Sequence, residues 1–384
     1  MAAAVHHVGA KDTFRRRKNS KPEGGTKVTK YGSNGPIRLA RRDVLMKGGA
    51  GVLGTFIAAS TANIAGAQTP SADAVMANLK KLVMGDFNPN YANQWGFRLA
   101  QSLGFLEAGG IDELEIILSD EYMAGLIGGS LDIAHGDTSE FLAAGNSSGL
   151  PITMISMHRD FEWWIMGVGK DIGSPDDLKG KTVTGGGLAG RNTWIMRQVL
   201  IKMGLDPNND VNFVPSSGGS DARLGAVVNG SIDAASMFPR HRATLEEAGG
   251  KFIFEELVNA PQEAFGVMGD WLEKNADTAQ AWILADLKAR QWLHDPANKE
   301  RAYQIMIDLG YDIPDSFRAL YDVELSQLSV DGGFDSADAM DEFVGTLVET
   351  GNLPEGLDWR QYFDFTYLWA AQDALGVTRR PPSL

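Results

Sequence analysis

Between residues 80 and 260, short apolar runs alternate with stretches whose apolar positions recur every three to four residues. Leu82–Asp86 is predicted as a strand, Gln94–Gly104 as a helix and Leu114–Leu118 as a second strand. About a hundred residues on, Thr182–Gly185, Asn192–Gly204 and Val211–Val214 repeat that order. Ala124–Ala134, AGLIGGSLDIA, sets over Gly225–Ala235, GAVVNGSIDAA, at an offset of 101. Each unit reads β-α-β-α-β, which predicts two α/β lobes, each with a largely parallel sheet flanked by helices. Two copies at this spacing do not make a solenoid. In both copies the helix runs into a glycine, Gly129 or Gly230, suited to a left-handed cap. Asp132 and Asp233 then open the next strand and are expected to bond backbone there.

From Trp271 the pattern is helical. Helices are predicted over Ala276–Leu293, Lys299–Leu309, Ser316–Leu328, Ser336–Thr350 and Arg360–Leu375, with Asp295, Ser316 and Ser336 as N-caps. The aromatic run Tyr362, Phe363, Phe365, Tyr367 and Trp369, with Leu368, is expected in the core.

Composition narrows the function classes. The 384 residues are 43% hydrophobic, enough for about two domains. There is no cysteine, which excludes disulfides, a thiolate nucleophile and cysteine metal sites. The net charge is −14, but residues 1–67 hold twelve of the 35 basic and only three of the 49 acidic side chains. The remainder therefore carries −23 and should repel nucleic acid.

The basic start is expected to be an export signal with a disordered beginning over residues 1–39. Ala40-Arg41-Arg42-Asp43-Val44-Leu45-Met46-Lys47 resembles a twin-arginine motif. A glycine-diluted apolar stretch, Gly48 to Ile64, leads to Ala65-Gly66-Ala67, with cleavage expected after Ala67. The stretch is short and glycine-rich for a membrane span. No cysteine follows it, so no lipid anchor is expected there. The expected location is the periplasm, after passage through the twin-arginine translocase.

Residues 182–194, TVTGGGLAGRNTW, place Gly185, Gly187 and Gly190 at the dinucleotide spacing G-x-G-x-x-G. A nucleotide site also needs an acid at the end of the second strand, about 20 residues on. Here Val214-Pro215-Ser216-Ser217 ends that strand and offers none. The turn is better read as a cradle for a small anion or polar group, held by backbone N–H groups at a helix start. A plain structural turn is the alternative.

The order of IGSPDDLKGK (Ile172–Lys181), a glycine turn, a helix, GLDPNNDVNFV and VVNGSIDAA resembles the nitrate/sulfonate/taurine family of ABC-transporter periplasmic binding proteins, which also contains thiamine-pyrimidine-precursor binders and synthases. The match runs from about Lys81 to Gly250. The resemblance implies a two-lobed periplasmic-binding-protein-like fold of type II with extra C-terminal helices. It implies 75–158 as the first part of lobe one, 159–262 as lobe two, and 263–384 as the return to lobe one with the C-terminal helices. It also implies a monomer that captures a small ligand between the lobes and delivers it to an ABC permease in the inner membrane. The ligand classes are nitrate, sulfonate, taurine, aromatic acid or pyrimidine precursor.

In such sheets the ligand lies beyond the carboxyl ends of the strands. That selects Asn88, Tyr91 and Trp95 after the first strand, Asp137 and Thr138 after DIA, and Arg159 and Trp163 after Ile152–Met157. In lobe two it selects Gly187, Arg191, Asn192, Thr193, Phe238 and Arg240. An arginine fork matches a carboxylate or sulfonate by two bonds. Each arginine could instead pair with an acid, and the aromatics could pack the lobes. Asp137 could accept from a ligand amine or cap the helix beginning at Thr138. The crossings between lobes are expected near Met157–Trp163 and Val258–Val267.

Little favours catalysis. His135, His158, His241 and His294 show no ligand spacing, there is no G-x-S-x-G elbow, and no cofactor or metal is expected. Asp206-Pro207-Asn208-Asn209-Asp210 lacks the glycine and closing glutamate of a calcium loop. An enzyme of the same fold, acting on a pyrimidine or aromatic acid, is the alternative.

Overall fold

Two long strands organise the fold. The computed structural model describes residues 75–86, 91–119, 121–188, 190–217 and 219–384, and residues 37–39 as backbone. In chain order the strands are β1 (Ile37–Leu39), β2 (Lys81–Asp86), β3 (Glu113–Leu118), β4 (Ile133–Asp137), β5 (Ile152–Val168), β6 (Thr182–Thr184), β7 (Asn212–Phe213), β8 (Ala234–Ser236) and β9 (Lys251–Met268). They form one sheet in the order β1-β3-β2-β4-β9-β5-β8-β6-β7.

The repeat reappears as topology. β3-β2-β4 and β7-β6-β8 are parallel trios, and each is closed by an antiparallel long strand, β9 on β4 and β5 on β8. β5 and β9 pair with each other from Ile152↔Met268 to Val168↔Lys251. The register shifts between Met157 and Arg159 and again between Arg159 and Phe161, which kinks the pair near its middle. The expected strand Ile152–Met157 thus runs on much further. Residues 158–168, HRDFEWWIMGV, stay rich in aromatic and β-branched side chains, which suit a pleated surface.

The hydrophobic interior divides at the kink. Met157 and Ala260 lie in the larger core, with Trp95, Phe265, Trp282 and Trp359, whereas Trp164, Met166, Val183, Met196 and Val199 form a second. Helices α1 (Gly96–Ser102), α2 (Phe105–Ala108), α3 (Tyr122–Ile127) and α4 (Thr138–Ser148) serve the first trio. α5 (Arg191–Lys202), α6 (Gly219–Val228) and α7 (Arg242–Glu247) serve the second. The chain then returns through α8 (Gly269–Lys274) and α9 (Ala276–His294), which buries Trp282 edge-on against Phe265 at 4.7 Å. Such a pair contributes about 0.5–1.5 kcal/mol beyond its buried area.

Asp132 and Asp233 do the same work in both halves. Asp132 Oδ2 accepts from Val83 N at 2.7 Å, and Asp233 Oδ2 accepts from Thr182 N at 2.8 Å. Each carboxylate stands just before its own strand and ties that start to the first half of the parallel neighbour, after a glycine with φ of 72° (Gly129) or 76° (Gly230).

Two expectations need correction. Residues Ile37–Leu39, expected to be disordered, pair antiparallel with β3. The outer edge of β3 has open backbone donors and acceptors, and a short extended segment satisfies them. The expected helix Ser316–Leu328 is broken. After α10 (Lys299–Asp308) come α11 (Asp315–Arg318), with Pro314 rather than Ser316 at its N-cap, and α12 (Tyr321–Leu325). α13 (Ala337–Glu349) has its expected cap, Ser336 Oγ accepting from Ala339 N at 3.2 Å. α14 (Thr366–Leu375) follows a separate 3-10 turn, Trp359–Tyr362. Tyr362, Phe363, Phe365 and Leu368 are buried, as expected of core. Among the described residues no helix is long and apolar enough to cross a membrane.

Candidate functional site

The glycine turn lies between β6 and α5, at the carboxyl end of the parallel trio. A side-chain carbon on Gly185 would stand 2.2 Å from Thr193 N, and Gly186 has φ of +120°. Both positions therefore require glycine. Gly187 is exposed, and nothing lies within 4 Å of where its side chain would begin. The close approach of β6 and α5 thus falls at Gly185, and Gly187 stands clear of it. Thr193 is buried and its hydroxyl donates to Gly187 O at 2.8 Å, so it closes the turn. Its amide donates to Gly190 O at 3.0 Å. The half-buried Asn192 side chain makes no hydrogen bond among the described residues.

The arginines differ in how far they are neutralised. Arg159 Nη1 donates to Glu263 Oε1 at 2.8 Å, and its Nη2 to Gln262 and Gln327 at 3.1 and 2.7 Å. Arg191 Nη2 donates to Glu162 Oε2 at 2.5 Å, with its guanidinium 4.9 Å from the Phe343 ring. Arg240 donates to the Ser220 hydroxyl at 2.7 Å, and its nearest carboxylate is the exposed Asp221 at 3.9 Å. Its guanidinium lies 4.6 Å from the ring of Phe238.

Sequence reasoning missed Arg223. It sits inside α6, where it reads as one polar position of an amphipathic helix. It is 5% exposed, and among the described residues only its Nε is bonded, to Ser236 O at 3.0 Å. Its Nη1 lies 3.5 Å from the side-chain position of Gly186. Burial first, and the charge of Arg240 second, lower its pKa. Arg223 therefore faces the glycine turn, with the like charge of Arg240 near enough to act on it and Asp221 partly offsetting both. Beside them His241 accepts from Phe238 N on Nδ1 at 3.1 Å and meets Asp221 with Nε2 at 3.1 Å. Burial, then Arg240, lower its pKa to about 4.

The opposite side is acidic and buried. Glu263 receives Arg159, His135 Nε2 at 3.2 Å and Gln94 Nε2 at 3.4 Å. His135 Nδ1 meets Asp86 Oδ1 at 2.8 Å, and Asp86 also receives Arg98. Burial opposes charge on His135, but its bonds to Asp86 and Glu263 outweigh it and lift the pKa to about 9. Asp137 stands directly across the ladder from Glu263. Burial, then the charges of Glu263 and Glu140, raise it to about 7. It occupies the N-cap position of α4, yet its side chain bonds no helix amide. His135 and His158, far apart in sequence, have ring centroids 4.2 Å apart, and with Glu263 they bring three ligand atoms within 4.8 Å of one another.

The remaining expected residues fall on the walls. Tyr91 is half-buried, packed 5.6 Å from Phe317. Trp95 is 1% exposed, edge-on to Tyr303 and Tyr321, and lies beneath the surface. Thr138 is fully buried, and its hydroxyl has no partner among the described residues, like Asn93 Oδ1, Gln94 Oε1 and Arg159 Nε. Trp163 Nε1 donates to Ser326 Oγ at 3.2 Å. Asn88, Arg41, Arg42 and Ala67 lie outside the described residues.

The family model described as NMT1/THI5 like matches residues 91–299. The nitrate/nitrite binding protein NrtA of Nostoc is 26% identical over 289 residues, which span 66% of this chain and 62% of that protein. The crystal structure of the periplasmic nitrate-binding protein NrtA from Synechocystis superposes with a TM-score of 0.60 at 16% identity, covering 79% of this chain and 91% of that one. The periplasmic aliphatic sulphonate binding protein SsuA from Escherichia coli does so at 0.55 and 17%, covering 74% and 92%. These structures share the fold of this chain.

Proposed function

Because the chain belongs to the NMT1/THI5-like family, we propose that it is the solute-capturing component of an ABC importer, working in the periplasm on a small polar or anionic organic ligand. The observation that carries this reading is Arg223 beside the Gly185–Gly187 turn, with Arg240 as a second cation acting on it. Two buried or half-buried cations that Asp221 only partly offsets favour an anion, and an arginine fork offers two parallel bonds to a sulfonate or carboxylate. The Asn192 amide adds a donor. On the other wall Asp137, Gln94, Asn93 and Thr138 supply acceptors and a hydroxyl for the rest of the ligand. Unbonded buried groups of this kind call for a ligand or water.

The lobes are taken as 75–158 with 263–384, and 159–262. The kinked middle of β5 and β9 supports a hinge at Met157–Trp163 and Val258–Val267. A ligand touching both walls shifts the balance toward the closed state. Bound, the monomer would dock on a membrane permease. The twin-arginine signal with cleavage after Ala67 accounts for its route.

The test is a thermal-shift and calorimetric screen of the mature protein against nitrate, taurine, alkanesulfonates, aromatic carboxylates and aminopyrimidines, with product analysis. Saturable stabilisation by one class without turnover supports capture. Product formation would replace it with an enzyme of this fold.

A further inference from the structure

The floor of the first lobe contains more than the ligand walls require. We infer that His135, His158 and Glu263 form a site for a divalent transition-metal cation of the zinc class. The three side chains come from neighbouring strands, β4, β5 and β9, so rigid backbone holds them. Each offers one ligand atom, and these atoms lie within 4.8 Å of one another. His135 Nε2 and Glu263 Oε2 are 3.2 Å apart. Two ligands of a tetrahedral zinc stand about 3.4 Å apart, given bonds of ~2.0–2.2 Å.

His158 is the independent observation. It is fully buried, and neither ring nitrogen has a hydrogen-bond partner among the described residues. A buried imidazole with nothing to bond is costly. Its placement is not incidental to the sheet. Met157 pairs Ala264 and Arg159 pairs Glu263, so His158 is the extra residue of the bulge. Bulges re-aim a side chain.

The surroundings suit a metal. His135 turns its other nitrogen to Asp86 at 2.8 Å, the carboxylate–histidine relation that orients a ligand ring. Glu263 Oε1 is held by Arg159 at 2.8 Å, so Oε2, which meets His135 Nε2 at 3.2 Å and takes only a long bond from Gln94 Nε2 at 3.4 Å, is the oxygen turned to the cation. The rings of Phe97 and Phe265 flank both histidines at 5.2–6.1 Å and exclude water. Two imidazoles and one carboxylate favour zinc, cobalt or nickel over calcium or magnesium, which take oxygen ligands. The cation takes the place of the proton between His135 Nε2 and Glu263. Three protein ligands leave a fourth position for water or another small donor. The site is separate from the Arg223–Arg240 pair and stands without it.

The experiment uses the full chain carrying His6→Ala and His7→Ala, so that this pair cannot contribute, stripped with a chelator and titrated with zinc by calorimetry. One equivalent and a raised melting midpoint are expected. His158→Leu and Glu263→Gln should each weaken uptake by more than about 100-fold, the upper range for losing even an orienting partner. His158 contributes no hydrogen bond, so the metal-free His158→Leu protein should still melt cooperatively. Cobalt substituted into the unmutated site should give the intense visible bands of four-coordinate geometry, a readout that needs no variant. No uptake at micromolar zinc, equal uptake by both variants, or the weak spectrum of hydrated cobalt would each overturn the assignment.

Discussion

Arg240 lies over the ring of Tyr91, 5.7 Å from its centroid, so a cation that follows β8 meets an aromatic that follows β2. This contact joins the two halves at an arginine whose close carboxylate is the exposed Asp221 at 3.9 Å. Replacing Arg240 or Arg223 with methionine keeps the stem and removes the fork. Each should weaken binding of the identified anion by roughly 10- to 150-fold, the equivalent of ~1.5–3 kcal/mol for a hydrogen bond to a charge. Calorimetry on the mature variants measures it. Unchanged affinity in both would place the ligand away from this pair.

The glycine turn yields a contrast within three residues. Gly185→Ala would drive its new carbon to 2.2 Å from Thr193 N and should lower the melting temperature by several degrees. Gly187→Ala enters open space and should stay within about 0.5 kcal/mol of the parent. Equal melting of the two would mean that β6 and α5 can move apart freely.

Asp132→Ala and Asp233→Ala remove the matching strand ties. Each leaves a strand amide unbonded and should cost about 1–3 kcal/mol. Asp132 also accepts from Trp271 Nε1 at 2.8 Å and Asp233 also from the Thr182 hydroxyl at 2.7 Å, so the two losses should be similar. Denaturant unfolding of the two variants gives the comparison, and an unchanged midpoint in either would contradict it.

These aspartates show what could be read from the chain alone. The repeat AGLIGGSLDIA/GAVVNGSIDAA revealed two equivalent units because local pattern and spacing survive in one dimension. The long C-terminal helices were legible for the same reason, through their periodicity and through Ser336 as a cap. The chemistry was not, because it depends on lateral register. Nothing near His135 in sequence points to His158 or Glu263, and a one-residue bulge decides where His158 aims. Arg223 looked like one polar residue of a helix until its neighbours, Arg240 and Gly186, were known. Asp86, deep in the network, read as the end of a strand.

Acid should weaken the second lobe through His241. Its folded pKa is lowered to about 4 from the ordinary 6.5, so the unfolded chain takes up this proton first as pH falls. The stability it contributes is intact above pH 6.5 and is lost between there and about 4. His241→Gln should flatten that part of the pH dependence relative to the parent. Melting curves of both proteins across the window test it, and parallel curves would rule His241 out.

The proposed export signal rests on Arg41 and Arg42. Arg41→Lys with Arg42→Lys should leave the precursor in the cytoplasm, as fractionation would show. Undiminished export would point to another secretion route.

The paired long strands also govern the order in which the molecule can be made. β4 ends at Asp137, but the strand that covers its free side begins to pair only at Glu263. Between the two, the ribosome must make the whole second half. At ~5–20 residues per second that is roughly 6–25 seconds during which the first half has an unprotected flank. A chain stopped short of Glu263 would keep that flank for good and should aggregate rather than yield a stable half-molecule. The first half to be synthesised is therefore the last to be finished.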